Sequence, residues 1–434
     1  MIAAAVDSEP AGPRQRVLWL ATIAFTLLFA VWLMLGVLGI RIRDELKLTP
    51  PQFEWLIAAA ILAGALPRLN FGIWTDQYGG RVTMTLTLLF TAVPCFCLSQ
   101  ATSYEEVLAC ALLFGVAGNS FTIGISWVSA WFPNRTKGTA LGVFGAGNVG
   151  ASATKFLAPT LLAVIPAAGF LGGTIPGGWR FVPIVYAVLL VLMAAAVWFL
   201  APSPDRRPGL GRPMSEVLAP LRFMRVWRFS LYYVVVFGAY VALAAYLPKY
   251  YVDVYDQTLG NAGYLTALFI FPASLLRPLG GWLSDMYGPR RITYSVFIGM
   301  TAALAILSIP MSILDLGVGG FTFFMFVVAC GMGIGKASVY KYVPDYFPKD
   351  VGAVGGLVGT LGALGGFILP PAFGMLSRWA GSPQVAFVAL LGLTVGSLAW
   401  LHVVVTRLKK QQVNTLELQP SLTRAHAIAA TSLK

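Results

Sequence analysis

Residues 68–81 read RLNFGIWTDQYGGR, and residues 277–290 read RPLGGWLSDMYGPR. Arg68, Asp76, Tyr78, Gly79 and Arg81 of the first stretch return as Arg277, Asp285, Tyr287, Gly288 and Arg290, each 209 residues further on. Gly72 and Gly281 keep the same offset. A second correspondence follows it. Phe132-Pro133 is answered by Phe347-Pro348, and Gly138, Gly142 and Gly145 by Gly352, Gly356 and Gly359. Two sets of residues recurring at nearly one offset describe a duplicated unit. Each copy of the first stretch closes an apolar run, so the duplicated unit is a set of hydrophobic segments. Internal repeats of this kind typify transporters, with the substrate site near the membrane midplane between them.

Working outward, apolar runs of about 20 residues recur along the chain, each long enough to cross a hydrocarbon core of roughly 30 Å. Twelve are legible: 17–40, 53–74, 82–100, 105–131, 138–162, 181–200, 228–249, 261–283, 292–313, 319–343, 352–376 and 383–406. The chain is 58% hydrophobic and 11% charged, against about 25% charged in soluble domains. The expectation is an all-α membrane protein with twelve transmembrane helices in two pseudo-symmetric six-helix halves. Its parts are residues 1–201, a Pro- and Arg-rich linker 202–226, residues 227–406 and a polar, mobile tail 407–434. The first run, Val17 to Ile40, is too long for a signal-peptide core and reads as a retained helix.

The net charge of +13 would point to nucleic acid in a soluble protein. Here it splits between loops and a few intramembrane positions. With both termini inside, seventeen Lys and Arg fall on inner segments and six on outer ones. That bias places both termini in the cytoplasm of a multi-pass protein of the cytoplasmic (inner) membrane. Cys95, Cys97, Cys110 and Cys330 all lie in apolar segments and read as packing residues. The two histidines, His402 and His426, assemble no catalytic or metal-ligand set. No enzyme activity, metal or cofactor is expected, and the partners are the bilayer and a transported solute. The expected functional unit is a monomer.

The pattern Gly72-x3-Asp76-x2-Gly79-x-Arg81, repeated as Gly281-x3-Asp285-x2-Gly288-x-Arg290, resembles the loop motif of the major facilitator superfamily. That resemblance implies twelve helices and alternating access but identifies no substrate. Trp131-Phe132-Pro133-x4-Gly138-Thr139-Ala140-Leu141-Gly142-x2-Gly145-x-Gly147-Asn148-x-Gly150 is similar to the signature of the nitrate/nitrite porter family. Gly352-x3-Gly356-Leu357-x-Gly359 resembles its second copy. The resemblance implies nitrate, with nitrite, as substrate. It implies Arg68 and Arg277 at the substrate, Phe121, Tyr233 and Phe237 as aromatic neighbours, and Asn148 as a polar residue lining the site.

The residues read the same way on physical grounds. Arg68 and Arg277 lie eight positions before Asp76 and Asp285, or roughly 12 Å in from the loop at about 1.5 Å per residue. A guanidinium at that depth costs at least about 2.5–3.5 kcal/mol. All 17 acidic residues fall in loops, tails or span edges, so no carboxylate is at hand to compensate. Bonds to backbone carbonyls, or snorkelling, are one account. The other is an anion clamp, since two guanidinium forks suit a planar oxyanion. The aromatic residues are either walls of that site or ordinary core. The glycine series let helices approach closely, either for packing or for sliding during alternating access.

Three lysines go beyond a two-arginine site. Lys336 falls at the repeat position of Phe121 and is deep. Lys341 and Lys155 lie toward span ends, where snorkelling is the simple account. An inside-negative potential opposes anion entry by about 2.3 kcal/mol per 100 mV, so uptake needs an exchanged anion or co-transported protons. Lys336 is the first candidate to carry such a proton, with Lys155 and Lys341 behind it, because burial and neighbouring positive charge both work against an ammonium. Proton-coupled nitrate uptake is therefore the expectation. Nitrate/nitrite antiport is the alternative, and an organic-anion or phosphate-ester exchanger a further one.

Overall fold

The computed structural model describes residues 11–150, 152, 166, 169–170 and 176–431. Its regular elements are helical, as a chain crossing hydrocarbon requires, because each backbone polar group must be satisfied within its own segment. We label the spans α1 Ala11–Trp32, α2 Pro51–Tyr78, α3 Gly80–Gln100, α4 Tyr104–Trp131, α6 Gly178–Leu200, α7 Met224–Tyr255, α8 Gly260–Tyr287, α9 Pro289–Leu307, α10 Gly317–Tyr346, α11 Val351–Ala380 and α12, whose span is Val385–Leu408. Helix α5 opens as Lys137–Gly145, and most of its expected remainder, with Lys155, lies outside the described residues. The eleven spans and the start of α5 account for the twelve expected positions.

Two boundaries differ from the expectation. The first apolar run is not one helix: α1 ends at Trp32, a turn follows, and Leu35–Leu46 forms a second helix that carries Arg41, Arg43, Asp44 and Glu45. At the other end, the helix that begins at Val385 runs on to Thr431 rather than stopping at the span edge.

Helix ends follow local chemistry. Ser103 and Glu106 form a capping box at the start of α4, and Thr49 with Gln52 does so before α2. The α2–α3 and α8–α9 turns pass through Gly79 (φ 90°) and Gly288 (φ 84°), a conformation L side chains rarely adopt. The motif glycines are thus explained by the turn. We call the end of the bundle that carries these two turns the motif side.

Burial separates inner from outer helices. In the most apolar window of α4, 72% is buried, against 22% in α12, so α4 lines the interior and α12 faces outward. Across the two repeats, α2 packs on α11 and α8 packs on α5. Small residues set both crossings. A Cβ on Gly72 would meet the Gly352 carbonyl oxygen at 2.0 Å, and one on Gly281 would meet that of Gly138 at 2.0 Å. Further in, Gly142 faces the Arg277 backbone and Gly356 the Arg68–Leu69 backbone.

Candidate functional site

Irregular backbone marks the middle of the bundle. Helix α2 breaks before Arg68, at Leu66 and Pro67, and α8 breaks at Leu276. Each arginine is therefore the first residue of a new helical segment. A 3-10 turn, Val116–Asn119, precedes Phe121 in α4, and another, Ala146–Val149, contains Asn148. In α7 a π-helical turn, Val234–Gly238, starts directly after Tyr233 and includes Phe237. Non-ideal turns at membrane depth persist where protein encloses them, and π-bulges frequently occur at functional sites.

These turns bring the expected residues together. Phe121 stands between the two arginines: the Arg277 guanidinium carbon is 5.1 Å from its ring centroid and that of Arg68 is 5.9 Å. Tyr233 and Phe237 stack on each other at 5.0 Å, with Phe121 parallel to both at 6.3 and 6.4 Å. Arg68 and Tyr233 are fully enclosed, Arg277 is 1% exposed, Phe121 2% and Phe237 3%. The site is closed to both sides.

The hydrogen-bond ledger shows what is missing. Arg68 Nε donates to the Gly64 carbonyl at 2.8 Å, and one of its terminal nitrogens donates to the Gly359 carbonyl of the other repeat at 3.2 Å. Backbone carbonyls thus hold part of Arg68. Its second terminal nitrogen, Arg277 Nε and one terminal nitrogen of Arg277 are buried without a partner among the described residues, and the Tyr233 hydroxyl faces Arg277. Buried donors are nearly always satisfied, and no acidic side chain pairs with either arginine among the described residues. The arrangement is electropositive, aromatic-walled and short of acceptors. A planar oxyanion supplies what it lacks.

Asn148 is 1% exposed, and both its amide atoms are unpartnered. It lies one turn beyond Gly145, against which the Arg277 side chain packs: a Cβ there would be 2.4 Å from Arg277 Nε. At Gly359 a Cβ would be 2.8 Å from the Tyr340 hydroxyl and in ordinary contact with Arg68 at 3.5 Å. Gly145 therefore admits the arginine of the opposite repeat, and Gly359 admits Tyr340 beside Arg68.

Reading the sequence missed two members. Tyr340 stands edge-on to Phe121 at 5.0 Å and to Tyr233 at 4.5 Å, and its hydroxyl donates to the Gly355 carbonyl at 3.0 Å. Trp32 supports Arg68 from beneath, with the guanidinium 5.3 Å from its ring.

Lys336 is fully buried. Its ammonium nitrogen lies 3.1 Å from the Tyr240 ring centroid and 5.8 Å from that of Phe237, and donates to the Ala273 carbonyl at 3.1 Å. Phe237 thus touches both Lys336 and, at 5.9 Å, Arg68.

Snorkelling is wrong for Lys341. Its ammonium pairs with Asp285 at 2.9 Å, the two side chains being 4% and 5% exposed, and with Asp345 at 3.4 Å. It also donates to the Asn134 carbonyl. A buried carboxylate on another helix outcompetes a reach toward solvent. Asp285 also accepts from the Gly138 amide at 2.9 Å and from the Thr139 amide and hydroxyl at 2.6 and 2.8 Å. Asp76 mirrors it, accepting from the Gly352 amide at 2.9 Å and from the Ser126 hydroxyl. Each carboxylate meets the start of a helix in the opposite repeat, where free amides and the helix dipole favour negative charge. Arg81 lies over Trp198 at 4.6 Å, and Arg290 donates to the Tyr346 hydroxyl at 2.8 Å.

The Major Facilitator Superfamily model matches residues 20–370 and, again, 257–431. A Thermus thermophilus protein named "Probable nitrate/nitrite antiporter NarK1" is 57% identical over 93% of this chain and 94% of its own. The chain belongs to the nitrate/nitrite porter family of the major facilitator superfamily. It is therefore a transporter and not an enzyme. The "Nitrite extrusion protein" of Bacillus subtilis is 30% identical over 86% of this chain and 91% of its own. The "Probable nitrate/nitrite transporter NarK2" of Mycobacterium tuberculosis is 31% identical over 82% and 87%. Among solved structures, the transporter FucP in its outward conformation superposes with a TM-score of 0.70 at 16% identity, covering 91% of this chain and 98% of FucP. That likeness shows the twelve-helix fold.

Proposed function

We propose that this porter carries nitrate, and nitrite, across the cytoplasmic membrane by alternating access, with Arg68 and Arg277 as the anion clamp. The observation that carries the reading is the set of unpartnered guanidinium nitrogens on either side of Phe121. Parallel aromatic faces stand beside the guanidinium groups, and flat walls suit a planar ion better than a tetrahedral one. The names of the relatives at 57%, 31% and 30% identity support the same substrate. Tyr233, Phe237 and Asn148 complete the lining. The motif side is the cytoplasmic side on the loop-charge argument, the termini are cytoplasmic, and the functional unit is a monomer of two six-helix halves.

For coupling, the first reading is proton symport through Lys336. Phe237 separates that ammonium from Arg68, so a proton on Lys336 and an anion at the clamp share one wall. Lys341, committed to Asp285, is a gate residue rather than a proton carrier. The second reading is nitrate/nitrite exchange, favoured by the absence of a carboxylate beside either arginine among the described residues and by the word antiporter in the name of the Thermus relative. In that case only a bound anion relieves the repulsion of the two guanidinium groups and lets the site reorient.

Labelled nitrate uptake into proteoliposomes, with and without trapped nitrite, under imposed pH gradients and clamped voltage, tests both. Uptake into anion-free vesicles driven by an acidic exterior supports symport. Uptake that requires trapped nitrite and ignores the pH gradient supports exchange and retires Lys336 as a coupling group. No nitrate flux in either format, with an organic anion carried instead, overturns the substrate.

A further inference from the structure

Away from the clamp, a cleft opens on the motif side among α7, α9, α10 and α12. It is a narrow recess open at its mouth, and none of its lining residues is acidic. Arg228 and Arg290 flank it, with Tyr232 and Tyr342 at its base. Tyr232 is fully enclosed, and neither its hydroxyl nor the buried Arg228 Nε has a hydrogen-bond partner among the described residues, while the hydroxyl of Tyr342, 3% exposed, faces Thr293. Neither arginine joins an ion pair among the described residues; Arg290 reaches only the Tyr346 hydroxyl at the rim. Four polar side chains thus converge on one space, and two carry buried donors that nothing among the described residues satisfies. Such groups cost free energy unless a ligand meets them.

We infer that this cleft binds the phosphate group of an anionic phospholipid. The chemistry is that of an oxyanion taking guanidinium and phenol donors at once. Position selects a lipid as its source. The remaining wall is Leu401, Val404 and Leu408 on α12, the least enclosed span of the bundle, so an acyl chain continues down that apolar face while the headgroup stays in the cleft. Trp227, 47% exposed, stands beside Arg228, and Arg222 and Arg225 precede it. Tryptophan and clustered basic residues are the side chains that sit at a headgroup layer. The inference does not rest on nitrate as substrate, because no clamp residue takes part.

The test titrates phosphatidylglycerol onto delipidated full-length protein in micelles, counts bound lipid by native mass spectrometry, and repeats the titration with phosphatidylcholine. Parallel thermal melts use inorganic phosphate alone. Phosphatidylglycerol binds wild type more tightly than phosphatidylcholine, and Arg228→Gln binds it about tenfold more weakly, the loss of one charge-assisted hydrogen bond. Tyr232→Phe keeps the ring and removes only a donor that has no partner among the described residues, so it gives a smaller loss in the same direction and serves if the arginine variant folds poorly. Inorganic phosphate that stabilises wild type but neither variant, with no difference between the lipids, supports the oxyanion site and replaces lipid by free phosphate as its source. Equal lipid binding by wild type and both variants, with no effect of phosphate, overturns the inference.

Discussion

Arg68 and Arg277 resemble each other in depth and in their shared ring, but the fold holds them differently. Two carbonyls fix Arg68, one of them across the repeat interface, whereas two nitrogens of Arg277 are left without a partner. Arg277 is the better placed to give a bidentate pair, and Arg68 to position the anion against it. Arg277→Lys replaces a fork by a point charge, so nitrate uptake falls by roughly a hundredfold, the scale of about 3 kcal/mol for a buried charge contact. Arg68→Lys loses the Gly64 and Gly359 bonds besides. Near-wild-type uptake by either variant, at matched amounts of folded protein, would remove bidentate recognition from the account. Lys336→Gln gives the complementary result: nitrate binding persists while acid-driven uptake is lost, and unchanged proton coupling excludes Lys336 as the carrier. The clamp was legible because charge in an apolar run is rare and because the two arginines recur at one offset. Tyr340 and Trp32 gave no comparable signal. In a chain with 16 Tyr, 28 Phe and 12 Trp, an aromatic side chain marks a site only through its neighbours, and these come from distant helices. The partner of Lys341 was hidden for the same reason, since Asp285 belongs to another span.

At the scale of helices, the glycine series prove to be contact surfaces with a direction. Outer members meet backbone: Gly72 faces Gly352, and Gly281 faces Gly138. Inner members meet site side chains, Gly145 that of Arg277 and Gly359 the Tyr340 hydroxyl. A methyl group at an outer position forces two helices apart, and one at Gly145 displaces a guanidinium. Gly72→Ala and Gly145→Ala therefore both slow transport but separate in binding. Gly72→Ala, at 2.0 Å from the Gly352 oxygen, leaves nitrate affinity near wild type and reduces turnover, whereas Gly145→Ala reduces affinity itself. Gly396→Ala, with nothing within 4 Å, changes neither. Isothermal titration together with initial uptake rates distinguishes the three, and equal behaviour of Gly72→Ala and Gly145→Ala would undo the division. The spacing of these glycines was readable from the sequence. The helix each one faces was not, because the facing pairs, α2 with α11 and α8 with α5, join opposite repeats.

For the molecule as a whole, the motif side is held shut at three places. Asp76 and Asp285 each reach across to a helix start of the other repeat, and the segment between α6 and α7 lies over the seam between them. Asp205 of that segment accepts from the indoles of Trp127 and Trp131 at 3.1 and 3.0 Å and from the Arg81 amide at 2.8 Å, all in the first repeat. The Gly209 amide donates to the Asp76 carbonyl at 2.9 Å. Arg212 then pairs with Asp350 of the second repeat at 2.6 Å. Alternating access requires the contacts that join opposite repeats, those of Asp76, Asp285 and Arg212, to break together, since rigid repeats cannot open at one latch and stay closed at the next. Removing one latch therefore shifts the whole equilibrium rather than loosening one corner. Asp285→Asn weakens the Gly138 and Thr139 bonds across the seam, the Lys341 pair lying within the second repeat, a change of about 1–2 kcal/mol, or roughly 5- to 30-fold in the closed-to-open ratio. Spin labels at Tyr78 and Tyr287, which are 58% and 52% exposed at the ends of α2 and α8, report that ratio as a distance distribution in a background with Cys95, Cys97, Cys110 and Cys330 replaced. In Asp285→Asn the population moves to longer distances, Arg212→Gln moves it the same way by a smaller amount, and nitrate restores part of the short-distance population. A distribution that stays at the wild-type distance in Asp285→Asn would mean that Asp285 does not hold the gate, leaving Asp76, the segment between α6 and α7 and the glycine contacts to close it.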